Sequence, residues 1–482
     1  MTFMTTKLRQ KLIGIQLKTE SEVSHNHFKL LTANGKLKVS RWAWATRAAV
    51  LSLMILVMGH NLYQGWMLGD PLVFYSTLIP LQVIAVFAVG WLSFTCRANG
   101  RVTSDLVSVI IPIYNQEALI RDVIEAIYKS TYKNIEVIAV NDGSEDRTRR
   151  ILNEVAIKYP SLKVIHKKNG GKRTAIATGF YMSKGRYIVL MDSDCIVDKY
   201  AIEEFIRTFS SNPRVGGVVG NAKVLNANKN ILTRCQDAWY DYAFNIHKTT
   251  ESVFSTVLCC SGCLAGYRRE AIANYIPYWV RSRIQNSDDR DLTTYAIATP
   301  WAKKELAPFS RNLFEDMARY DDSEDRGLTT YTLVDWETVY IPTAIVYTEV
   351  PENLKHYIRQ QIRWKKGYLR SSFFVSAFFW KKNPLMSLIF YTEFMTTLIT
   401  PLVISAIYIY SPFVLQNFWL PITYFIGQVL VGLAAGLDYK FRDDNAKNWK
   451  FKPLMNLFSS LVLPWLIFPA LWTYRKNQWL TR

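Results

Sequence analysis

Acidic charge is short in this sequence: 39 Asp and Glu stand against 58 Lys and Arg, for a formal net charge of +19. Such an excess raises nucleic-acid binding first, yet much of it sits beside apolar runs, in Lys7 to Arg41 and near Lys440 to Lys452. That placement fits the positive-inside rule and anionic lipid headgroups, so a lipid bilayer is expected as partner and nucleic acid is not. Cysteine is also scarce. Five of the six, Cys195, Cys235, Cys259, Cys260 and Cys263, fall in the middle of the chain without the paired CxxC spacing of a zinc site, and reduced cytosolic thiols are expected. No secretory signal pattern is expected either, because about 40 polar residues precede the first apolar run and no small-residue cleavage site follows it closely. The apolar runs hold few charges and show no inverted repeat of the kind found in secondary transporters.

What is present is apolar and aromatic: 50% hydrophobic residues and 14% aromatics, concentrated before residue 97 and after residue 384. A bilayer core needs about 20 apolar residues in a helix, and residues 43–64 and 71–96 meet that length. His60 to Asp70 carries no Lys or Arg whereas Arg97 and Arg101 follow the second run, which puts the hairpin tip outside and both the N-terminus and the middle of the chain in the cytosol. Residues 385–410 and 412–437 read as a second hairpin, returned to the cytosol at Lys440-Phe441-Arg442. In the last run, 454–474, Pro464 and Pro469 are expected to break the helix into a re-entrant or interfacial hairpin, which keeps the basic tail cytosolic. Glu393, inside a span, reads either as part of a polar path or as a snorkelling side chain.

Between these runs the pattern changes. VSVIIPIY, IEVIAVNDGS, LKVIHK and YIVLMDSD are short continuous apolar runs separated by amphipathic segments, which predicts an α/β domain with a mostly parallel sheet. The organisation expected is a basic segment 1–42, two transmembrane helices 43–96, the α/β domain 104–350, interfacial amphipathic helices 351–382, membrane and interfacial helices 384–474, and a basic tail 475–482.

Polar residues gather where the strands end, and open α/β sheets bind ligands at the carboxyl ends of strands. Asn141, Asp142 and Ser144 follow one strand and Asp192 and Asp194 another. The latter pair reads either as helix capping or as oxygen ligands for Mg²⁺ or Mn²⁺ against a diphosphate. Lys172, after two glycines, is either a solvated loop lysine or a phosphate contact. Arg363 and Trp364 in QQIRW, on a basic amphipathic helix, are either a lipid-interface anchor or a phosphate clamp beside a sugar-stacking ring. Two acidic octapeptides nearly repeat, Asp288 to Tyr295 (DDRDLTTY) and Glu324 to Tyr331 (EDRGLTTY), and the first reads as a charged surface loop.

Taken in order, NDGS at 141–144, GGKRTA at 170–175, DSD at 192–194, CCSGCLAGYRR at 259–269, SEDRGLTTY at 323–331 and QQIRW at 360–364 resemble the processive family-2 glycosyltransferases, in particular the group of hyaluronan synthases and chitin-oligosaccharide synthases. The terminal QWLTR looks like a shortened gating segment of that group. The resemblance implies a GT-A-like cytosolic domain inserted between transmembrane helices of a multi-pass plasma-membrane protein. It implies an inverting, metal-dependent enzyme that polymerises UDP-activated sugar, GlcNAc with or without GlcA, and translocates the growing polysaccharide. Synthesis of another β-glycan, cellulose-like or poly-GlcNAc, and single transfer to a lipid carrier are the alternatives.

The roles it implies are Asp142 at the nucleotide, Lys172 in support, Asp192 at the donor sugar or phosphate, Asp194 as ligand of Mg²⁺ or Mn²⁺, and Arg363 at the diphosphate. Asp325 becomes the general base, with Glu324 beside it, because the group keeps a short interval between this motif and QxxRW. Trp364, Gln360, Cys260, Ser261 and Gly262 fall on the acceptor side. Cys263 stands where hyaluronan synthases usually have proline, which leaves the sugar open.

Overall fold

The computed structural model describes residue 36 and residues 39–68, 71–281, 288–298 and 335–473. The chain divides into two compact units, each assembled from separated stretches: the first includes Thr95–Leu225 and Ser255–Glu349, the second Lys38–Phe94, Asn226–Phe254 and Val350–Arg482. Asn226–Phe254, expected within the α/β domain, thus belongs to the unit that holds the apolar helices.

The first unit is built on eight strands, β1 (Val107–Ile113), β2 (Ile135–Asp142), β3 (Leu162–Lys167), β4 (Tyr187–Leu190), β5 (Cys195–Val197), β6 (Val215–Val224), β7 (Ala265–Arg268) and β8 (Glu337–Thr348), ordered β3-β2-β1-β4-β7-β6-β8-β5 across the sheet. β1 and β4 are buried throughout, as their largely apolar runs require, and Ser108 within β1 donates to Glu136 of β2. The first four strands run parallel and are linked by the helices Ile120–Tyr128, Thr148–Lys158 and Lys172–Met182.

From β1 the chain steps outward to β2 and β3, then returns to the other side of β1 as β4. Reversal of strand order is where a ligand crevice opens at the carboxyl ends of a parallel sheet. Beyond β4 the sheet becomes mixed: β7 is antiparallel to β4 and to β6, β6 is parallel to β8, and β5 is antiparallel to β8. Because Leu190 at the end of β4 faces Ala265 at the start of β7, the segment entering β7 arrives at the carboxyl end of β4.

The second unit is helical. Three of its described helices are long and apolar enough to cross a membrane, Arg41–His60, Pro384–Phe413 and Trp419–Arg442, or four if a bent pair is one span. That pair, Trp449–Leu461 and Leu463–Trp472, turns by 46° where the last apolar run was expected to break. Pro464 opens the following turn, and a proline ring removes a backbone donor and collides with the preceding turn. Val50, Met54, Val86, Phe87, Trp91, Ile246, Ile389 and Ala435 form one core of this unit, while Leu56, Leu388, Leu402, Phe413 and Trp419 remain exposed, an apolar surface suited to lipid. Glu393 follows neither sequence reading alone: its Oε2 lies 3.1 Å from His247 Nε2, and His247 Nδ1 lies 3.6 Å from Glu251.

Asn226–Phe254 is fastened into the second unit by charge. Arg442 Nη2 meets Asp241 at 2.6 Å and its Nε meets Asp438 at 3.1 Å, while Arg47 Nε meets the other Asp438 oxygen at 2.8 Å. Asp438 is fully buried, and the four charges cancel. Removing one member of a buried pair leaves an uncompensated charge, at a cost of about 3–5 kcal/mol. Asp438→Ala, which takes the carboxylate from buried Arg47 and leaves Arg442 with Asp241 alone, should therefore lower the thermal unfolding midpoint and the monodisperse yield in detergent, whereas Asp444→Ala at an exposed neighbouring position should match the unsubstituted protein.

Candidate active site

The site starts at the carboxyl end of β2. Gly143 takes φ +72°, and a Cβ there would come within 2.7 Å of the Asn169 backbone nitrogen, so glycine lets the turn after β2 approach the 168–171 loop. Asp142 uses that approach: its carboxylate accepts from Lys167 Nζ at 2.5 Å and from the backbone N–H groups of Gly170 and Gly171 at 3.0 and 2.7 Å. Asn141 Oδ1 accepts from the Ser144 N–H, and Ser144 Oγ accepts from the Asn115 N–H after β1. NDGS thus ties together the ends of three strands.

Lys172 opens the Lys172–Met182 helix. Its ammonium lies 2.5 Å from Asp192 Oδ1, just past β4, and 3.8 Å from Asp289 Oδ1. Burial alone would push its pKa down, but Asp192, Asp289 and Asp288 more than offset this and hold it above the ordinary lysine value. The next residue, Arg173, is 1% exposed and donates to Asp288 at 2.6 Å, to Asp291 at 2.8 Å and to the Trp279 carbonyl at 3.0 Å. Its guanidinium also lies 5.2 Å from the Trp279 ring centre.

These contacts correct the reading of the first acidic repeat. Asp288–Ile297 is a helix, not a charged surface loop, and Asp291, Leu292, Thr293, Thr294, Ala296 and Ile297 are buried in it. Its acidic end is needed inside because Arg173 and Lys172 are inside. The missed signal was the pair of cations in GGKRTA, which require anionic partners once their helix is packed. Asp289 Oδ2 accepts the Gly262 N–H at 2.8 Å, the Gly262 carbonyl accepts the Asp192 N–H at 2.9 Å, and the Cys260 N–H donates to Thr293 Oγ1 at 2.9 Å. The Cys260-Ser261-Gly262 segment is thereby held between the end of β4 and the new helix. Burial and the nearby Asp192 and Asp288 carboxylates raise the Asp289 pKa, against the opposing pull of Lys172 and the Gly262 N–H.

The remaining expected residues are placed differently. Glu324 and Asp325 lie outside the described residues. Gln360, Arg363 and Trp364 belong to the second unit, on the helix Leu354–Ser376, whose N-terminus is capped by the Asn353 side chain accepting from the His356 N–H. Trp364 stacks on Trp239 at 5.9 Å between ring centres and 20° between planes, and Gln360 Oε1 is buried with no hydrogen-bond partner among the described residues.

Asp192 and Asp194 supply hard carboxylate oxygens on one turn, a donor set that fits Mg²⁺ or Mn²⁺. Cys195 sits beside them, its thiol donating to Asp194 Oδ1 at 3.2 Å, and burial raises its pKa well above the ordinary thiol value. A protonated thiol leaves the carboxylates as the ligands for a hard cation.

Residues 108–276 match the glycosyl transferase family 2 profile. Hyaluronan synthase of Streptococcus pyogenes is 27% identical over 392 residues, spanning 78% of this chain and 83% of that protein. Poly-beta-1,6-N-acetyl-D-glucosamine synthase of Staphylococcus epidermidis is 25% identical over 261 residues, 54% of each chain. Among solved structures, a mannosyltransferase from Pyrobaculum calidifontis aligns over 87% of this chain and 98% of that one at 16% identity, with a TM-score of 0.45. The strand-end carboxylates, Lys172 and the profile match over the strands that carry them lead to one conclusion: residues 108–276 form a glycosyl transferase family 2 domain, in a chain similar to hyaluronan and poly-beta-1,6-N-acetyl-D-glucosamine synthases.

Proposed function

We propose that the protein is a processive, inverting synthase that builds a β-linked polysaccharide from UDP-sugar on the cytosolic side of the plasma membrane and passes the product outward. The observation that carries this reading is the meeting of Lys172, Asp192 and Asp289 at the reversal point of a family-2 domain, with Asp142 bound to Gly171 next to Lys172, in a chain that also holds membrane-length helices. The two synthases named above are named for hyaluronan and for poly-N-acetyl-D-glucosamine, which makes UDP-GlcNAc, alone or alternating with UDP-GlcA, the first donor to test.

In this reading Asp142 and its glycine-rich partners bind the nucleotide, Lys172 and Asp192 orient the donor sugar and its phosphate, and Arg363 takes the diphosphate. Mg²⁺ or Mn²⁺, held by Asp194, supplies neutralisation of charge on the departing UDP. An acceptor hydroxyl oxygen attacks the donor anomeric carbon as the bond to the phosphate oxygen breaks, and a carboxylate removes the hydroxyl proton. One displacement on an α-linked donor gives a β-linkage. Trp364, Gln360 and the Cys260-Ser261-Gly262 segment serve the acceptor.

Two carboxylates compete for the proton. The contacts of Asp289 with Gly262 and Lys172 favour it over Asp325, reversing the preference that motif spacing gives. For passage of the product, support comes from a cavity of about 270 Å³ in the second unit, lined by Lys365, Thr396, Thr400, Tyr424, Gln428, Ser459 and Ser460 among others. Hydroxyl and amide groups there can meet those of a sugar polymer that hydrocarbon cannot solvate.

The test is incubation of the purified, detergent-solubilised protein with labelled UDP-sugars and Mg²⁺ or Mn²⁺, followed by digestion with linkage-specific hydrolases. Long β-linked product is expected; addition of one sugar to a lipid and nothing longer would overturn processive synthesis in favour of the lipid-linked alternative. For the base, Asp289→Asn should lower transfer by roughly 10²-fold or more at saturating donor while donor affinity survives, because base catalysis typically contributes 10²–10⁴. Asp325→Asn should stay within a few-fold of the unsubstituted enzyme, and the opposite pattern would return the base to the later repeat.

A further inference from the structure

Three metal-ligating atoms meet beside this site, and two of them take no part in the transfer chemistry above. A carboxylate oxygen of Asp192 and the Sγ atoms of Cys195 and Cys263 all lie within 4.8 Å of one another. Asp192 follows β4, Cys195 opens β5, and Cys263 comes on the segment entering β7, so sheet order and not local sequence brings the distant thiol in. The frame is already fixed by backbone hydrogen bonds: the Cys195 N–H to the Asp192 carbonyl at 3.2 Å, the Asp192 N–H to the Gly262 carbonyl at 2.9 Å, and the Leu264 N–H to the Ser261 carbonyl at 3.1 Å. Cys195 is buried while Asp192 and Cys263 are partly exposed, so the cluster is open on one side.

Two thiolates about 2.3 Å from a zinc-sized ion at tetrahedral angles stand about 3.8 Å apart, and a thiolate and a carboxylate oxygen about 3.5 Å, so atoms within 4.8 Å of one another need to close by about 1.3 Å at most. Thiolates select soft or borderline cations, whereas Mg²⁺ and Mn²⁺ prefer oxygen. We propose that Asp192, Cys195 and Cys263 form a site for a thiophilic divalent cation of the zinc and cadmium class, which shares Asp192 with the hard-cation pair Asp192 and Asp194 but not Asp194 itself, with the fourth position open to water. Binding releases one proton from each thiol and forms two metal–sulfur bonds and one metal–oxygen bond, with no change of oxidation state. Because Asp192 also holds Lys172, an ion here competes with that contact; inhibition of transfer follows if Asp192 serves the donor as proposed above.

The experiment titrates the purified full-length protein with Cd²⁺ in excess Mg²⁺ and reads the ultraviolet thiolate-to-cadmium absorption together with the protons released. Saturation at one Cd²⁺ per chain is expected. Loss of an outer-shell partner alone costs about 10–100-fold in metal affinity, so Cys195→Ser or Cys263→Ser should weaken binding at least about tenfold and halve the band. Cys259→Ser should change neither, and Asp192→Asn should weaken binding while keeping the two-thiolate band. If Cys195→Ser lowers the folded yield, Cys263→Ser at the more exposed position decides. The absence of a saturable band, or equal binding by Cys263→Ser and the unsubstituted protein, overturns the site. Zn²⁺ inhibition of transfer is measured separately: a saturable band without inhibition supports the metal site and contradicts the donor role of Asp192.

Discussion

The ammonium of Lys172 among carboxylates is the contact on which the catalytic unit depends. It joins the first turn of one crossover helix to the end of β4 through Asp192 and to a helix about 100 residues later through Asp289, while Arg173 beside it fixes Asp288 and Asp291. Two cations therefore face four carboxylates. The negative excess that remains attracts a cation and repels an anion, so the diphosphate of the proposed donor would enter such a site together with a divalent cation. The same contacts keep Cys260-Ser261-Gly262 in place, so the residues proposed for the donor and for the acceptor share one support.

Much of this was legible in the sequence because chemistry and pattern coincided. β1, β2 and β4 are largely apolar runs, and polar residues that close such runs fall at the carboxyl ends of a parallel sheet, which is where Asp142 and Asp192 stand, while Lys172 stands out by the two glycines before it. The antiparallel return of β7 was not legible, since continuous apolar strands carry no sign of direction. Nor was the helix 288–297: its four charged residues in succession imitate a solvated loop, and only the buried Arg173 on a distant segment shows why they turn inward.

The placement of Asn226–Phe254 was hidden for a related reason. Asp237 and Asp241 make the stretch look like part of a soluble domain, but Asp241 is there to pair with Arg442 of an apolar helix, and Asp237 accepts from Asn448 at 3.0 Å. Glu393 follows the same rule, finding His247 within hydrogen-bond distance. In this unit charges act in matched sets between helices, and their partners lie too far apart in sequence for a local pattern to show them.

Coupling of synthesis to export is the central claim, and it is tested most directly by reconstituting the protein alone in sealed lipid vesicles and supplying UDP-sugar from outside. Product made by molecules whose catalytic unit faces outward should accumulate in the lumen, protected from an added hydrolase until detergent opens the vesicles. Long product that is wholly digested before detergent is added would contradict the claim, and would leave this chain a synthase that depends on a separate exporter.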